Sequence, residues 1–223
     1  MATNNSIVNK SGSLTLDPGA SGDSFVQFDI NTTGEFRIGV DDTDDSFRIS
    51  QGSALGTSDT FVMTATGERT MPLNPAFLAY RSSGANDVTG DGTKYTIIWN
   101  AERFDQNGDF DTSTGTFTAP VTGRYRLDLA VWFDDVTSSH TSSNIEIVTS
   151  NRTYYGGTYN LNARRVKDGT ADQVTVYQRV LADMDLGDTC TTTATVSNGT
   201  KVVDVESVGA TQTRGSFNGS LVC

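Results

Sequence analysis

The chain has 223 residues and a formal net charge of −11 at pH 7, with 35% hydrophobic and only 19% charged residues. That acidity argues against a nucleic-acid partner, which needs a basic face to displace the counterions around phosphate. No apolar run is long enough to span a bilayer, no leader of charged then apolar residues stands at the start, and one histidine with two cysteines offers no cluster for zinc.

In chain order, residues 1–10 are polar apart from Ile7 and Val8 and read as an attachment segment. Five short apolar stretches follow: SLTL, FVQFDI, EFRIGVD, SFRIS and TFVMTA. They are separated by the turn-forming DPGASGD, NTTG, DTDD and QGSALGTSD. A strand roughly every ten residues predicts an array of hairpins. Its large residues are few, mainly Phe25, Phe28, Phe36, Ile38, Phe47, Ile49 and Phe61. So thin a set buries too little surface for a core of its own, which points to several copies packed about a common axis. We assign residues 1–70 to this β stem. Pro72 and Pro75 break any strand ladder and mark the start of a second region, 71–223.

Beyond the prolines the strands are longer and more apolar. The clearest runs from Arg124 to Phe133: Tyr125, Leu127, Leu129, Val131 and Phe133 alternate with Arg124, Arg126, Asp128 and Ala130. Alternation of period two is the mark of a half-buried antiparallel strand, because successive side chains leave opposite faces of the pleat. Pro120 and Gly123 supply the preceding turn. AFLAY, KYTIIWN, GTFTA, NIEIVTS, QVTVYQRVLADMDL, TCTTTATV, KVVDVES and GSFNGSLVC complete the set. Eight or more antiparallel strands with polar turns predict a sandwich or jelly roll, so the fold class is all-β throughout.

Trp132 falls on the polar side of its strand and Trp99 ends an apolar one, so each needs a cover. A partner copy would supply it, or a loop of the same protomer. Three tyrosines, Tyr154, Tyr155 and Tyr159, lie among glycine and polar residues, followed by the basic Arg164 and Arg165. Tyrosine gives large contact area at low entropy cost, so this segment is the candidate receptor-binding loop. The alternative is a strand–turn–strand whose tyrosines pack on the sheet. Asp87 and Asp91, and the run Asp41 to Asp45, place hard oxygen donors in turns and allow calcium, although neither has EF-hand spacing. His140, in SSHTSS, reads as a solvated loop histidine. Cys190 and Cys223 read as small buried apolar residues, with a bridge between them left open. The neighbouring acids Asp134/Asp135 and Asp183/Asp185 share a strand or turn, whereas glycoside hydrolysis needs carboxyls facing across a cleft. The expectation is a binding protein, not an enzyme.

Gly108, Phe110, Thr114-Gly115, Phe117-Thr118, Pro120, Gly123 and Tyr125 resemble the signature of C1q-like domains, whose jelly roll is shared with tumour necrosis factor. Pro75 to Ala79 is similar to that family's opening strand, Gly187-Asp188 to its late turn, and Gly215 to Val222 to its closing strand. The segment GVDDTDDSFRIS with GSALGT resembles the neck of phage and bacterial fibre proteins. Together these resemblances imply a homotrimer with Trp99, Trp132 and Phe77 at its seams. They also imply a virion fibre or adhesin, docked through its N-terminus onto other virion components and binding a host receptor through its tip. The runners-up are a purely structural trimerising cap and a secreted C1q/TNF-type ligand.

Overall fold

Strand pairing is antiparallel throughout the computed structural model, which describes residues 16, 18, 21–30, 34–157, 159–161, 172–207 and 214–223. The chain divides into two compact units at Leu73/Asn74. The expectation for SLTL and for residues 1–10 lies outside the described residues, Leu16 excepted.

The first unit is a meander of β1 (Ser24–Ile30), β2 (Gly34–Asp41), β3 (Ser46–Gln51), β4 (Asp59–Met63) and β5 (Arg69–Thr70), hydrogen-bonded in that order. The aspartates of DTDD act as turn formers. Asp41 Oδ1 accepts the Thr43 N–H at 2.9 Å, Asp44 Oδ1 accepts that of Ser46 at 3.1 Å, and Asp45 takes φ 58°. Register sets the two faces. Val26 pairs with Ile38 and Phe28 with Phe36, while across β3 and β4 Ile38, Ile49 and Phe61 line up, as do Val40, Phe47 and Met63. All of these therefore share one face. The opposite face is mainly polar, with Val62 and with Phe25 beneath the Arg37 guanidinium. There Arg48 pairs with Asp41 (3.2 Å), Asp44 (2.6 Å) and Asp59, and Asp59 also receives the Ser50 hydroxyl.

The second unit has two sheets. One runs β9 (Ala101–Asp105), β6 (Ala76–Tyr80), β19 (Ser216–Leu221), β12 (Gly123–Val136) and β16 (Asp172–Met184), with β18 (Val203–Val205) and β7 (Ala85–Thr89) joined to the far end of β12. The other runs β10 (Phe110–Asp111), β11 (Thr116–Thr118), β17 (Thr189–Ser197), β13 (Ser142–Thr149) and β14 (Thr153–Tyr155). Onto it pack β8 (Lys94–Thr96) and β15 (Tyr159–Asn160). The long strands nest. β6 pairs with β19, β11 with β17, β12 with β16, and β13 with β14. Pairing first with last and working inward winds a β ribbon into a jelly roll. The all-β jelly roll expected of 71–223 is thus the architecture found.

Tyr125, Leu127, Leu129, Val131 and Phe133 all point into the sandwich and are buried, as their alternation requires. Beside them Phe77 stacks on Phe110 and on Phe117 at 4.8 Å each and meets Phe217 edge-on at 5.2 Å. Such pairs add about 0.5–1.5 kcal/mol beyond burial alone. Gly219 is what admits the Phe77 ring, since a Cβ there would stand 2.6 Å from it. KYTIIWN proves strand only over Lys94–Thr96. Ile97 and Trp99 follow on irregular chain, fully buried, with the indole N–H donated to Thr192 Oγ1 at 2.8 Å.

Candidate interaction surfaces

The pleat that sends Tyr125 to Phe133 inward sends Arg124, Arg126, Asp128, Ala130 and Trp132 outward, and register extends this outer face over the whole sheet. Tyr177 stands opposite Ala130, Arg179 opposite Asp128, and Leu181 opposite Arg126 on β16. On the other side lie Ser216, Asn218 and Ser220 of β19, then Leu78 of β6 paired with Phe104 of β9. The centre of the face is therefore small and polar, while its margins carry large apolar groups. Tyr177 is 64% exposed, Leu181 59% and Phe104 50%. Two shallow depressions of about 510 and 530 Å³ adjoin there and share Ala130, Tyr177 and Ser216. Near its centre the charges are paired, Arg126 and Arg179 with Asp128 and Arg124 with Asp183, while Arg214 and Arg103 lie over the rings of Trp132 and Tyr80.

The outer face of the other sheet is different in kind. Glu146 is buried at its centre and takes hydrogen bonds from Lys94 (2.7 Å), Thr193 (3.0 Å) and Asn144 (3.0 Å). The surrounding strand positions are largely threonine. At its edge Tyr155 is 71% exposed, ahead of Gly156 and Gly157.

The sequence-derived seam residues need correction. Trp99 and Phe77 belong to the interior of a single protomer, enclosed between its own sheets, and present nothing to a neighbour. Trp132 does lie on the outer face, but the Arg214 guanidinium covers it, 4.7 Å from the ring centroid. Of the tyrosine segment, Tyr154 packs inward against the core, and its carbonyl accepts the Gln178 side-chain N–H at 2.7 Å. Tyr155 alone among the three is shown facing solvent. Arg164, Arg165 and the side chain of Tyr159 lie outside the described residues.

His140 is also corrected, from solvated to fully buried. Nδ1 accepts the Thr137 N–H at 2.9 Å, which leaves Nε2–H to donate to Thr200 O at 2.9 Å. Cys190 is buried and Cys223 exposed, and both are free thiols. Cys223 is therefore not the buried apolar residue its sequence context suggested.

The acidic turns are tied by hydrogen bonds within the turn and to a distant strand. Asp91 Oδ1 accepts the Thr93 N–H at 2.9 Å, and the backbone of Asp87 donates to Asp204 at 2.7 Å. Among the described residues Asp87 and Asp91 do not join a group of three close carboxylates. Asp23, Asp41 and Asp42 do, with ligand atoms within 4.8 Å of one another. Those acids are already engaged. Asp41 pairs with Arg48, Asp42 accepts the Gly22 N–H at 2.8 Å, and Asp23 that of Asp42 at 3.1 Å.

No family model matches the chain, and no curated protein matches it either. Similar solved structures include the globular domain of zebrafish complement 1qA (17% identity, 67% of this chain and 98% of that one, TM-score 0.40). Murine APRIL at pH 8.5 is another (10% identity, 67% and 99%, TM-score 0.42). A third is the Eiger TNF of S. frugiperda (10% identity, 67% and 92%, TM-score 0.44).

Proposed function

We propose that this chain is the protomer of a homotrimeric attachment protein, a virion fibre or adhesin whose jelly-roll unit binds a receptor on a host surface. Fold alone does not assign a role, so the reading rests on a surface. The carrying observation is the outer face of β9–β6–β19–β12–β16, with exposed Tyr177, Leu181 and Phe104 around a small-residue centre. Apolar groups gathered on one sheet face, with the neighbouring charges already paired, suit contact between copies. Three copies on one axis also turn weak receptor contacts into useful avidity. Tyr155, at the edge of the other sheet, remains the receptor-facing candidate. The fibre setting is supported by the neck-like sequence of the stem. Binding rather than catalysis agrees with the one histidine, whose ring nitrogens are both committed to Thr137 and Thr200.

Light scattering tests the assembly. A 23.9 kDa chain gives a trimer of about 72 kDa, and Leu181→Asp with Tyr177→Asp reduces it to a folded monomer. A wild-type monomer, or a double variant that stays trimeric, overturns the proposed face. Adhesion of the trimer to host cells, lost on Tyr155→Ala with mass unchanged, tests the receptor arm.

A further inference from the structure

Among the described residues the stem sheet has one layer, five strands and two dissimilar faces. On one, Arg48 gathers Asp41, Asp44 and Asp59, and Arg37 holds Glu35 at 2.9 Å and Gln27 at 2.9 Å. That face is already satisfied from within. The other carries four phenylalanines with valine, isoleucine and methionine, and the charge at its described strand positions is Arg69 of β5, opposite Met63 at the edge away from Phe28. Phe28 is 58% exposed and Phe36 42%, and they form a cross-strand pair next to exposed Val26, with exposed Val40 further along the same face. A sheet that is apolar on one side has to bury that side against something.

We propose that the occupant is a second copy of this chain, so that the stem sheets of the assembly meet through the face centred on Phe28 and Phe36. Two arguments select it. The first is electrostatic. A chain of net charge −11 repels its own copies, and they approach most readily where acidic charge is absent. The Phe28 face is such a place, and docking through it leaves Asp41, Asp44 and Asp59 on the outer side. The second is area. Four phenylalanines and their neighbours, partly exposed, offer on the order of 500 Å² per copy. A stable interface takes about 800 Å² per partner, so the stem face falls short alone and needs the separate contact between copies proposed at the jelly-roll face. In this respect the inference rests on the assembly proposed above. A second copy is also the one partner present wherever the chain is made, which suits a surface that must be covered as soon as it folds.

Cysteines placed in the full chain test this, in a Cys223→Ser background that leaves only buried Cys190. Phe28→Cys lies on the proposed seam, whereas Gln27→Cys, one residue earlier, points to the opposite face. In the assembled protein Phe28→Cys should react with a bulky maleimide about tenfold more slowly than Gln27→Cys, and a short bismaleimide should join copies in the Phe28→Cys variant alone. The double variant Phe28→Ser/Phe36→Ser, at sites already exposed in the protomer, should keep the jelly roll's unfolding transition and dissociate at higher protein concentration than wild type. A trimer in which both cysteines react alike overturns the stem inference and leaves the jelly-roll interface standing. Protection of the thiol in Phe28→Cys without any cross-link assigns the face to a different occupant and also overturns it. A wild-type monomer overturns both proposals.

Discussion

His140 donates its Nε2–H to the carbonyl of Thr200 at 2.9 Å, fastening the loop between β12 and β13 to the loop between β17 and β18 from a fully buried position. Its ring fills the space over Gly199, where a Cβ would stand 2.3 Å from Cδ2 and Nε2. Removing the ring in His140→Ala leaves the Thr137 N–H without its acceptor, leaves Thr200 O with the Val202 N–H alone, and opens a cavity. The expected loss is about 2–4 kcal/mol, read as a lower urea midpoint with unchanged slope. Gly199→Ala, which drives the ring away without deleting it, should cost about 1–3 kcal/mol.

The buried Trp99–Thr192 hydrogen bond makes a second prediction, tested by a double-mutant cycle. Trp99→Phe strands the Thr192 hydroxyl, and Thr192→Val strands the indole N–H, each at about 1–3 kcal/mol. The double variant leaves neither group orphaned. Its cost should therefore fall below the sum of the singles, and strict additivity would show that the bond contributes nothing.

Asp204 makes stability depend on pH. Burial raises its pKa above the ordinary 3.8, and Asp135, Asp87 and Glu206 add like charge, against the opposing hydrogen bond from the Asp87 backbone. The folded chain thus holds this proton more tightly than the unfolded one. The contribution of Asp204 is greatest below 3.8 and is lost as pH rises through the folded value. Asp204→Asn keeps the acceptor for the Asp87 N–H and removes the charge. It should stabilise the protein at pH 7, with the gain shrinking toward pH 4. A gain that is the same at both pH values would refute this account.

Adjacent tyrosines should behave oppositely. Tyr154→Ala removes a ring packed against the core and should cost about 2–4 kcal/mol in thermal or urea unfolding, whereas Tyr155→Ala should stay within about 0.5 kcal/mol of wild type.

The thiols differ in the same way. Burial pushes the Cys190 thiol well above its ordinary range, while Cys223 is exposed. A thiol reagent should label Cys223 in the native protein and Cys190 only after denaturation. Native labelling of both would show that the jelly roll opens locally at β17.

Much of the fold is legible in the residues because strand signals are local. The alternation from Tyr125 to Phe133 names its inward face without reference to any other strand, and turn chemistry places the ends of the stem strands. β7, β9 and β10 are not legible in this way: they are two to five residues long, and ANDVT and AERFD carry almost no apolar pattern. They become strands because β18, β6 and β11 lie alongside to receive their hydrogen bonds.

The candidate sites are less legible, since a site depends on what covers it. Composition makes Trp99, Trp132 and Phe77 look equally in need of a partner. The closing of two sheets puts Trp99 and Phe77 inside, and Arg214, far along the chain, lies over Trp132. The sequence by itself determined which residues share a face, because a pleat repeats every two residues whatever surrounds it. Tertiary structure decided which faces are buried and which partners reach His140, Trp99 and Asp204. Those contacts join strands and loops remote in the chain, and no local pattern encodes them.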